Sequence, residues 1–388
     1  MNQKWNYVPF EDAVEIWDFK RKPINNAERA SRINGKSNNE LYPYYGATGQ
    51  VGFIDDYLTD GEYVLLGEDG APFLNPIAQK AYIVTGKTWV NNHAHVLKSK
   101  YNNKFLCYYL NSINYKDYVS GTTRLKLTQA QMKRILIPVP SIEEQERIVA
   151  KIEELFSDLD NAVETLNATK TQLEVYRQAV YASIYDYNNV RPITDFFEVT
   201  GGLTKNSKRN TLPKKMPYLR VANVYFNMLD LSEIKEIGVN EQEIEKYLLK
   251  KNDLLFVEGN GSKSQIGRVA IWDGSIENCL HQNHLIKARP LGNMIPAYAL
   301  FYLISGGGRK QINEVSKSTS GLYTLSTNKV RELMIPYCDY EKQQQGVDEI
   351  ESRLSVCKSI EETVDTALQQ ATAMRQSILK QAFEGRLL

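Results

Sequence analysis

One stretch of this 388-residue chain has a faint, divergent copy later in the same chain. "LTQAQMKRILIPVPSIEEQERIV", from Leu127 to Val149, is matched 198 residues later by "LSTNKVRELMIPYCDYEKQQQGV". The Ile-Pro steps at 137–138 and 335–336 coincide, and Gln145 coincides with Gln343 at the same offset. A repeat at a fixed offset indicates one structural unit that is built more than once. The chain is therefore predicted to consist of two similar halves.

The charge distribution divides the chain into four blocks. Residues 1–140 carry a net charge of +4, 141–187 of −6, 188–338 of +6 and 339–388 of −3, although the total is only +1. A basic block is a weak indication of nucleic-acid binding, whereas the alternation indicates that the blocks perform different tasks. We expect globular domains at 1–140 and 188–338, and helical regions at 141–187 and 339–388.

The two acidic blocks are predicted to be long helices. Ser141 and Glu144 form the S-x-x-E capping box that satisfies free N–H groups at a helix start. Apolar or small residues then recur in steps of four and three, the spacing of a helix that packs on another helix. At 1.5 Å per residue the first helix would reach roughly 70 Å. The predicted seam residues are Ile148, Ile152, Leu155, Leu159, Leu166, Leu173 and Val180, then Ile350, Leu354, Ile360, Val364, Met374 and Ile378.

Two arrangements of these helices satisfy the pattern. Each could pack on a local core, or both could form one antiparallel pair with a globular block at each end. The matched length and register favour the pair. The predicted fold is therefore α+β, with two similar mixed α/β domains separated by a long antiparallel two-helix coiled coil.

The two basic blocks contain short β-rich runs separated by Gly, Asn and Asp turns. All four histidines fall in matching places, His93 and His95 in the first block and His281 and His284 in the second. His95 and His284 are each followed by two apolar residues and a lysine, 189 residues apart. The blocks are therefore interpreted as divergent copies of one domain.

Each copy carries polar, basic loops that are either solvated surface or contacts to DNA. Lysine and arginine neutralise phosphates, while hydroxyl, amide and N–H groups reach base edges. Six such loops on two domains favour contacts to DNA. The candidate contacts are Arg29, Arg32, Lys36, Tyr45, Thr48, Lys87, His95, Thr123, Arg124 and Lys126 in the first domain, and Lys205, Lys208, Arg209, Lys214, Lys263, Ser264, Arg268, His284, Lys317 and Tyr323 in the second.

The sequence lacks the signatures of a catalytic site. Two GK-[ST] segments have Ala30 and Ala81 where a phosphate-binding loop requires glycine. No Pro-Pro pair or nucleophile elbow is present, and His93 and His95 lack a carboxylate or thiolate at metal-binding spacing. Four scattered cysteines suit a reducing cytoplasm, and no apolar run approaches the ~18 residues of a membrane span. We expect no catalytic residue, metal or cofactor in this chain.

The repeated segment, the run "MPYLRVANV" and the ending "RQSILKQAFEGRLL" resemble the specificity subunit of type I restriction–modification enzymes. The resemblance covers essentially the whole chain. It implies two target-recognition domains, each reading one half of a split site in double-stranded DNA, joined by two conserved helical regions that fix the spacer. It also implies two methyltransferase subunits that use S-adenosylmethionine to methylate adenine, and two restriction subunits that use ATP and Mg²⁺, in the cytoplasm of a bacterium or archaeon.

The second helix start departs from the family pattern. "CDYEKQQQ" replaces "PSIEEQER", so the capping-box glutamate is missing and a looser elbow is expected, although Asp339 can still cap. Half-sites about one helical turn apart, roughly 10 bp, would place both domains on one face of the duplex. Two alternatives stay open: a coiled-coil scaffold that binds only proteins, and the specificity part of a related type II-like fused restriction system.

Overall fold

The computed structural model describes residues 5–319 and 321–388, without the side chains of 317–319. The chain divides into two compact units. Unit 1 contains Met1–Ala168 and Val364–Leu388, and unit 2 contains Thr169–Thr363. No helix in the described part of the chain is long and apolar enough to cross a membrane.

The elements alternate between short strands and short helices, apart from two very long helices. The helices are α1 (Phe10–Ala13), α2 (Asn26–Ile33), α3 (Asn103–Ser112), α4 (Gln129–Met132), α5 (Ile142–Ala182), α6 (Glu241–Tyr247), α7 (Pro296–Ile304), α8 (Gly306–Val315), α9 (Thr327–Arg331) and α10 (Tyr340–Phe383). The strands of unit 1 are β1 (Tyr7–Pro9), β2 (Val14–Ile16), β3 (Tyr42–Gly46), β4 (Gly49–Ile54), β5 (Thr59–Asp60), β6 (Tyr63–Gly67), β7 (Ala81–Val84), β8 (Lys87–Val90), β9 (Ala94–Ser99) and β10 (Leu136–Pro138). Those of unit 2 are β11 (Val190–Pro192), β12 (Phe197–Gly201), β13 (Lys215–Leu219), β14 (Val224–Tyr225), β15 (Met228–Leu229), β16 (Lys235–Gly238), β17 (Leu254–Val257), β18 (Gly259–Asn260), β19 (Val269–Ile271), β20 (Leu280–His281), β21 (Leu285–Pro290), β22 (Lys317–Thr319), β23 (Leu322–Thr324) and β24 (Met334–Pro336).

Unit 1 is built on two four-stranded sheets, in the orders β2-β9-β6-β7 and β4-β3-β8-β5. Strand β6 reads YVLLG and is buried at every position, because its two faces meet different cores. Val64 and Leu66 pack with Phe105 of α3, whereas Leu65 packs with Val90 of the second sheet. Burial on both faces explains why this strand is continuously apolar.

Unit 2 repeats this design around the sheet β12-β21-β17-β19. Its central strand β17 reads LLFV and is also buried throughout. Phe256 packs with Tyr298 and other residues of α7, while Leu255 packs with Trp272 in a second core. A three-stranded sheet in the order β16-β13-β20 takes the place of the second sheet of unit 1.

Backbone hydrogen bonds identify equivalent positions in the two units. The N–H of Glu68 donates to the carbonyl of His93 at 2.7 Å, and the N–H of Glu258 donates to that of His284 at 3.0 Å. Leu127 N–H and Leu325 N–H donate to the carbonyls of Glu68 and Glu258, both at 2.7 Å. The short strands that precede the long helices also match, since β1 pairs with β10 and β11 with β24. The predicted fold class is confirmed.

The same hydrogen bonds correct the alignment of the histidines. His284 corresponds to His93, and the position of His95 is occupied by Ile286 in unit 2. The sequence comparison had paired His95 with His284 because both precede two apolar residues and a lysine. Strand register decides the matter, because a shift of two residues keeps a side chain on the same face but moves it along the sheet, from the buried pair of His95 with Leu66 to the position of His93 before the strand begins.

Helices α5 and α10 pack together along their length, antiparallel, as the contacts within each unit show. In unit 1, Ile148 and Ile152 share a core with Ile378 and Phe383. In unit 2, Val180 shares a core with Val347 and Ile350. Of the predicted seam, these residues are buried or partly buried: Ile148, Ile152, Leu155, Leu159, Leu166, Leu173, Val180, Ile350, Leu354, Val364 and Ile378.

For two residues, the predicted place in the helix–helix seam is wrong. Ile360 is 40% exposed and Met374 is 53% exposed. The positions that turn inward are the next ones along the helix, Glu361 and Arg375. Their charges are compensated locally, because Glu361 bonds to Arg177 at 2.5 Å within unit 2, and Arg375 pairs with Asp160 within unit 1. The predicted seam contains only apolar residues, whereas the packed row of α10 also includes two charged residues with partners on α5.

Buried glutamines at equivalent positions hold the starts of both long helices, and at α5 the Nε2 of Gln145 donates to Pro140 O at 3.0 Å. At α5, the N–H of Glu144 donates to Ser141 Oγ at 3.2 Å, as the capping box predicts. At α10, Gln343 is fully buried; its Nε2 donates to Cys338 O at 2.8 Å and its Oε1 accepts from the N–H of Ile295 at 2.8 Å. These two bonds tie the second start to unit 2, and the looser elbow stays a prediction.

Candidate nucleic-acid interface

Unit 1 contains a cleft of about 670 Å³ between four segments, which we term cleft 1. The segments are the β3–β4 turn, the residues after β6, the β8–β9 connection and a loop at 120–127. The structure brings three predicted DNA contacts together here, Thr48, Thr123 and Arg124. The other lining residues are Gly46, Ala47, Val51, Asp69, Gly70, Ala71, Asn91, His93 and Leu125. All of them lie at strand ends or in loops, where side chains from several strands converge.

Cleft 1 presents a hydrogen-bond donor and an acceptor side by side. Arg124 Nε lies 2.6 Å from Asp69 Oδ1, although 61% of the Arg124 side chain is exposed. His93 Nδ1 lies 3.5 Å from Asp69 Oδ2. An ion pair this exposed contributes little to stability, and it leaves the guanidinium accessible to a phosphate or a base edge.

The loop at 120–127 owes its shape to a glycine. Gly121 has a φ of +100°, and a Cβ at this position would lie 2.4 Å from the Arg124 carbonyl oxygen. The loop closes as a tight hairpin, because Ser120 and Lys126 exchange backbone hydrogen bonds of 3.0 and 2.8 Å. The hairpin carries Thr123 and Arg124 at its exposed end.

Helix α2 and its neighbours form a basic edge of unit 1 outside cleft 1. Arg32 Nε and Lys36 Nζ lie 2.6 and 3.1 Å from the carboxylate of Asp55. Burial raises the pKa of Asp55, but the hydrogen bonds from Lys36 and Arg32 outweigh it and lower the pKa below its usual range. Three further predicted contacts rest on aromatic rings, Arg29 on Tyr44, Lys87 on Tyr57 and Tyr45 beside Tyr82. As contacts to DNA, all of them stay predictions.

His95 is not a DNA contact, and this prediction is wrong. The side chain is fully buried, and protein groups face both ring nitrogens. Nδ1 lies 2.7 Å from Asp18 Oδ2, and Nε2 lies 2.9 Å from the carbonyl oxygen of Leu127. His93, two residues earlier and not among the predicted contacts, lines the cleft instead. Aligning Gly67-Glu68 with Val257-Glu258 would have identified it.

Unit 2 contains a polar cleft of about 560 Å³ at the corresponding histidine, which we term cleft 2. Of the predicted contacts it includes Lys205 and His284, and the His284 ring lies 3.1 Å from Glu258 with 57% of its side chain exposed. Gly202 allows the strand to approach closely, since a Cβ there would lie 2.2 Å from Gln282 O. The other lining residues are Thr204, Asn206, Ser207, Asn210, Gln282 and Asn283.

Arg209 acts as a structural clamp and is not a free cation, and as a contact to DNA it stays a prediction that this arrangement disfavours. Its guanidinium donates to Thr204 O at 2.6 Å, to Gly238 O at 3.1 Å and to both carboxylate oxygens of Glu243 at 2.9 and 2.7 Å. The hydrogen bond to Glu243 raises the pKa of Arg209, and Arg209 in turn lowers the pKa of Glu243. Nearby, Lys208 is exposed, and Lys214 is exposed beside Glu241 at 2.9 Å.

Comparison with known proteins relates this pair of units to one family. A family model described as "Type I restriction modification DNA specificity domain" matches residues 2–175 and again residues 186–370. The chain belongs to the type I restriction–modification specificity subunits. The two matches coincide with the two halves of the repeat. The expectation that the chain is the non-catalytic, DNA-specifying part of such an enzyme is therefore confirmed.

Curated relatives and solved structures agree with this assignment. A putative type I specificity subunit of Haemophilus influenzae is 28% identical over 289 residues, which cover 71% of this chain and 70% of the relative. The EcoKI specificity subunit of Escherichia coli is 26% identical over 304 residues, covering 73% and 65%. A structure from a study of type I complex assembly and conformational transition has a TM-score of 0.70 at 14% identity over 98% of both chains. The specificity subunit of Thermoanaerobacter tengcongensis has a TM-score of 0.56 at 15% identity.

The remaining predicted contacts of this specificity subunit lie outside cleft 2. Lys263 is exposed, and Ser264 lines a different cavity with Arg309. Arg268 stacks 4.8 Å from the centre of the Tyr225 ring, and its Nε has no hydrogen-bond partner among the described residues. Tyr323 lies on β23, paired with Asn260, and the side chain of Lys317 lies outside the described part. These residues and the partly exposed Lys126 of unit 1 stay predictions.

Asp18, Glu68 and His95 have the residue types and proximity of a metal site in the specificity subunit. Their ligand atoms all lie within 4.8 Å of one another. Arg21 already supplies a cation to this cluster, because its Nη2 lies 3.0 Å from Asp18 and its Nη1 pairs with Glu68. The arrangement therefore suits an ion-pair network better than a metal ion.

Proposed function

We propose that this specificity subunit recognises a split site in double-stranded DNA, with one half read at cleft 1 and the other at cleft 2. One observation carries the proposal. The equivalent residues His93 and His284 each line a cleft and each lie beside a carboxylate, Asp69 or Glu258. The two copies have thus kept the position of the cleft while their linings have diverged, as recognition of two different base sequences requires.

The side chains that line cleft 1 and cleft 2 can form hydrogen bonds with different base edges. Cleft 1 offers the Arg124 guanidinium, which suits guanine, and the Asp69 carboxylate, which suits the exocyclic amine of cytosine. Cleft 2 offers the amides of Gln282 and Asn283, which suit adenine, and the ammonium of Lys205, which suits phosphate. The basic edge of α2 would add phosphate contacts that set affinity without setting sequence.

The partners follow from the family. We propose that the chain assembles with two methyltransferase subunits that bind S-adenosylmethionine and modify adenine, and with two restriction subunits that use ATP and Mg²⁺. The chain itself would bind neither cofactor. One similar structure comes from a study of complex assembly in a type I system, which supports such an assembly. Relatives from bacteria and an archaeon support a prokaryotic cytoplasm as its location.

The test is the pattern of methylation produced with the methyltransferase subunit co-expressed. Genome-wide mapping of methylated adenine is expected to yield two short specified halves around a fixed spacer. Arg124→Ala is expected to relax one half only and Gln282→Ala the other only, each by about 1–3 kcal/mol of discrimination at one base pair. Lys116→Ala, an exposed lysine of unit 1 outside cleft 1, serves as the control and should leave the motif unchanged.

Other outcomes would favour the alternatives. An unchanged methylome from a complex shown to assemble, together with no affinity for duplex DNA, would support a protein-binding scaffold. Methylation by the purified chain alone would support a fused enzyme. Relaxation of the same half by both substitutions would show that the two clefts do not read separate halves.

A further inference from the structure

We propose that His95 is a positioning residue for DNA recognition, whose protonated ring holds the 120–127 hairpin in place, so that reading of the half-site at cleft 1 alone weakens when the ring loses its proton. This inference rests on the proposed function, because it assigns a control element to cleft 1. His95 would not touch DNA. It would act through the carbonyl of Leu127, the last residue of the hairpin.

The geometry requires two donors on the ring. Asp18 Oδ2 accepts at 2.7 Å from Nδ1, and Leu127 O accepts at 2.9 Å from Nε2. A neutral imidazole has only one N–H, whereas the imidazolium has two. Neither neutral tautomer can therefore satisfy both partners, and deprotonation leaves one buried acceptor without its donor, which is costly in a site that excludes water.

The surrounding charges also favour the imidazolium. Asp18 and Glu68 contribute two carboxylates, and Arg21 contributes one internal cation bonded to both. The ring supplies the second cation. Burial raises the pKa of Asp18, but the hydrogen bond and charge of His95, with the N–H of Val96, outweigh it, and the pKa lies below its usual range. At the rim, Lys126 lies 3.5 Å from Glu68, and Gln129 Nε2 donates to Asp18 at 3.1 Å.

The network reaches the hairpin at its base. Leu127 donates its N–H to Glu68 O at 2.7 Å and accepts from His95, so both sides of this residue are fixed to the same cluster. Leu125 O accepts from the N–H of Gly70 at 3.0 Å, next to Asp69 of cleft 1. Loss of the bond to Leu127 O would free one strand of the hairpin that carries Thr123 and Arg124.

Unit 2 provides an internal control. Ile286 occupies the position of His95, while Leu325 N–H still donates to Glu258 O. No ring at that position can gain or lose a proton. Each cleft is lined by one histidine, His93 or His284, so a pH-dependent change at cleft 1 that is absent at cleft 2 is not a general property of DNA binding.

The experiment uses the complex of this chain with its methyltransferase subunits and two duplex libraries, each randomised in one half-site. Methylation gives the discrimination between the cognate base and its alternatives in each half, at about pH 6 and about pH 8.5. We expect discrimination in the half read at cleft 1 to fall by about tenfold at the higher pH, the equivalent of one lost base contact, while the other half changes much less. His95→Gln carries both of its N–H donors on one nitrogen, and its oxygen can only accept, so it cannot replace the two ring donors and should show the low value at both pH values.

His93 is the other titratable ring near cleft 1, beside Asp69, Arg124 and Lys126. The variant His93→Asn separates the two rings, because the pH-dependent difference between the halves should persist in it. Equal pH dependence in both halves, or a difference abolished by His93→Asn and retained in His95→Gln, would overturn the proposal. The comparison of wild type with His93→Asn leaves His95 unchanged, so it decides the matter even if His95→Gln does not fold. If base changes in neither half affect methylation, the proposed function fails instead.

Discussion

Replacement of Arg209 by methionine is expected to destabilise unit 2 without removing a DNA contact. Four of its donor interactions are satisfied within the unit, two by the carbonyls of Thr204 and Gly238 and two by the carboxylate of Glu243. Only 11% of the Arg209 side chain is exposed, against 24% for Glu243. Methionine fills a similar volume, so the change tests the hydrogen bonds and charge rather than a cavity.

The partial burial of the Arg209–Glu243 pair sets the expected loss of unfolding free energy. An exposed ion pair contributes about 0–1 kcal/mol, whereas removing one partner of a buried pair costs about 3–5 kcal/mol. Because Glu243 keeps some contact with water, an intermediate loss of about 2–3 kcal/mol in the free energy of unfolding is expected. For a unit of this size that corresponds to a fall of roughly 5–10 °C in melting temperature.

A fluorine label on tryptophan measures this loss in the full chain. Trp272 is the only tryptophan of unit 2 and is 1% exposed, whereas the other three lie in unit 1. A urea titration followed by ¹⁹F NMR should show an earlier transition for Trp272 alone. In the double variant Arg209→Met with Glu243→Gln, the loss should be smaller than the sum of the single losses, because the two side chains share the interaction.

The matched control is Lys205→Met, an exposed cation of the same segment that lines cleft 2. This variant should keep the Trp272 transition and weaken DNA binding by the assembled complex, with a salt dependence reduced by about one charge. If Arg209→Met instead keeps its stability and loses DNA affinity in the same way, Arg209 is a DNA contact as the sequence predicted, and the clamp described here is wrong.

Two further predictions concern the helices and a second buried histidine. Val364→Glu should lower the free energy of unfolding by about 2 kcal/mol or more, because it buries a carboxylate. Ile360→Glu, at an exposed position, should change it by less than about 0.5 kcal/mol. Equal losses in urea titrations would show that Ile360 belongs to the seam after all. Burial lowers the pKa of His281 to about 3 in the folded chain. As pH falls, His281 is therefore protonated in the unfolded chain before it is protonated in the folded chain. The stability of unit 2 should then fall as pH drops below the unfolded-state pKa of roughly 6.5. Urea midpoints measured between about pH 4 and about pH 7 check this, and His281→Gln should lose that slope; an unchanged slope would exclude His281 as its source.

The long helices show what the spacing of apolar residues can predict and what it cannot. The spacing of apolar residues predicted both helices and their mutual packing. It did not identify which of two adjacent rows turns inward, since Ile360 and Met374 look suitable but Glu361 and Arg375 are the packed positions. Apolar character alone could not reveal this, because a charge in a seam is tolerated once its partner on the other helix is in place.

The two clefts show the limit of predicting DNA contacts from residue type alone. Thr48, Thr123, Arg124, Lys205 and His284 were selected by residue type and do line the clefts. His95 and Arg209 were selected by the same criterion, yet both face protein groups. Their partners are remote in the chain, Asp18 lying 77 residues from His95 and Glu243 lying 34 residues from Arg209. Local composition contains no information about such partners.

By itself, the sequence determined the duplication, the two helices, the alternation of basic and acidic blocks and the family. Each of these depends on a pattern that is local or repeated, such as a 3.5-residue spacing, a capping box or a match at constant offset. Only the tertiary structure decided which polar side chains remain accessible to DNA. A cation or an imidazole is a potential contact until a carboxylate or carbonyl from elsewhere in the chain folds against it, and strand register determines which residue that is.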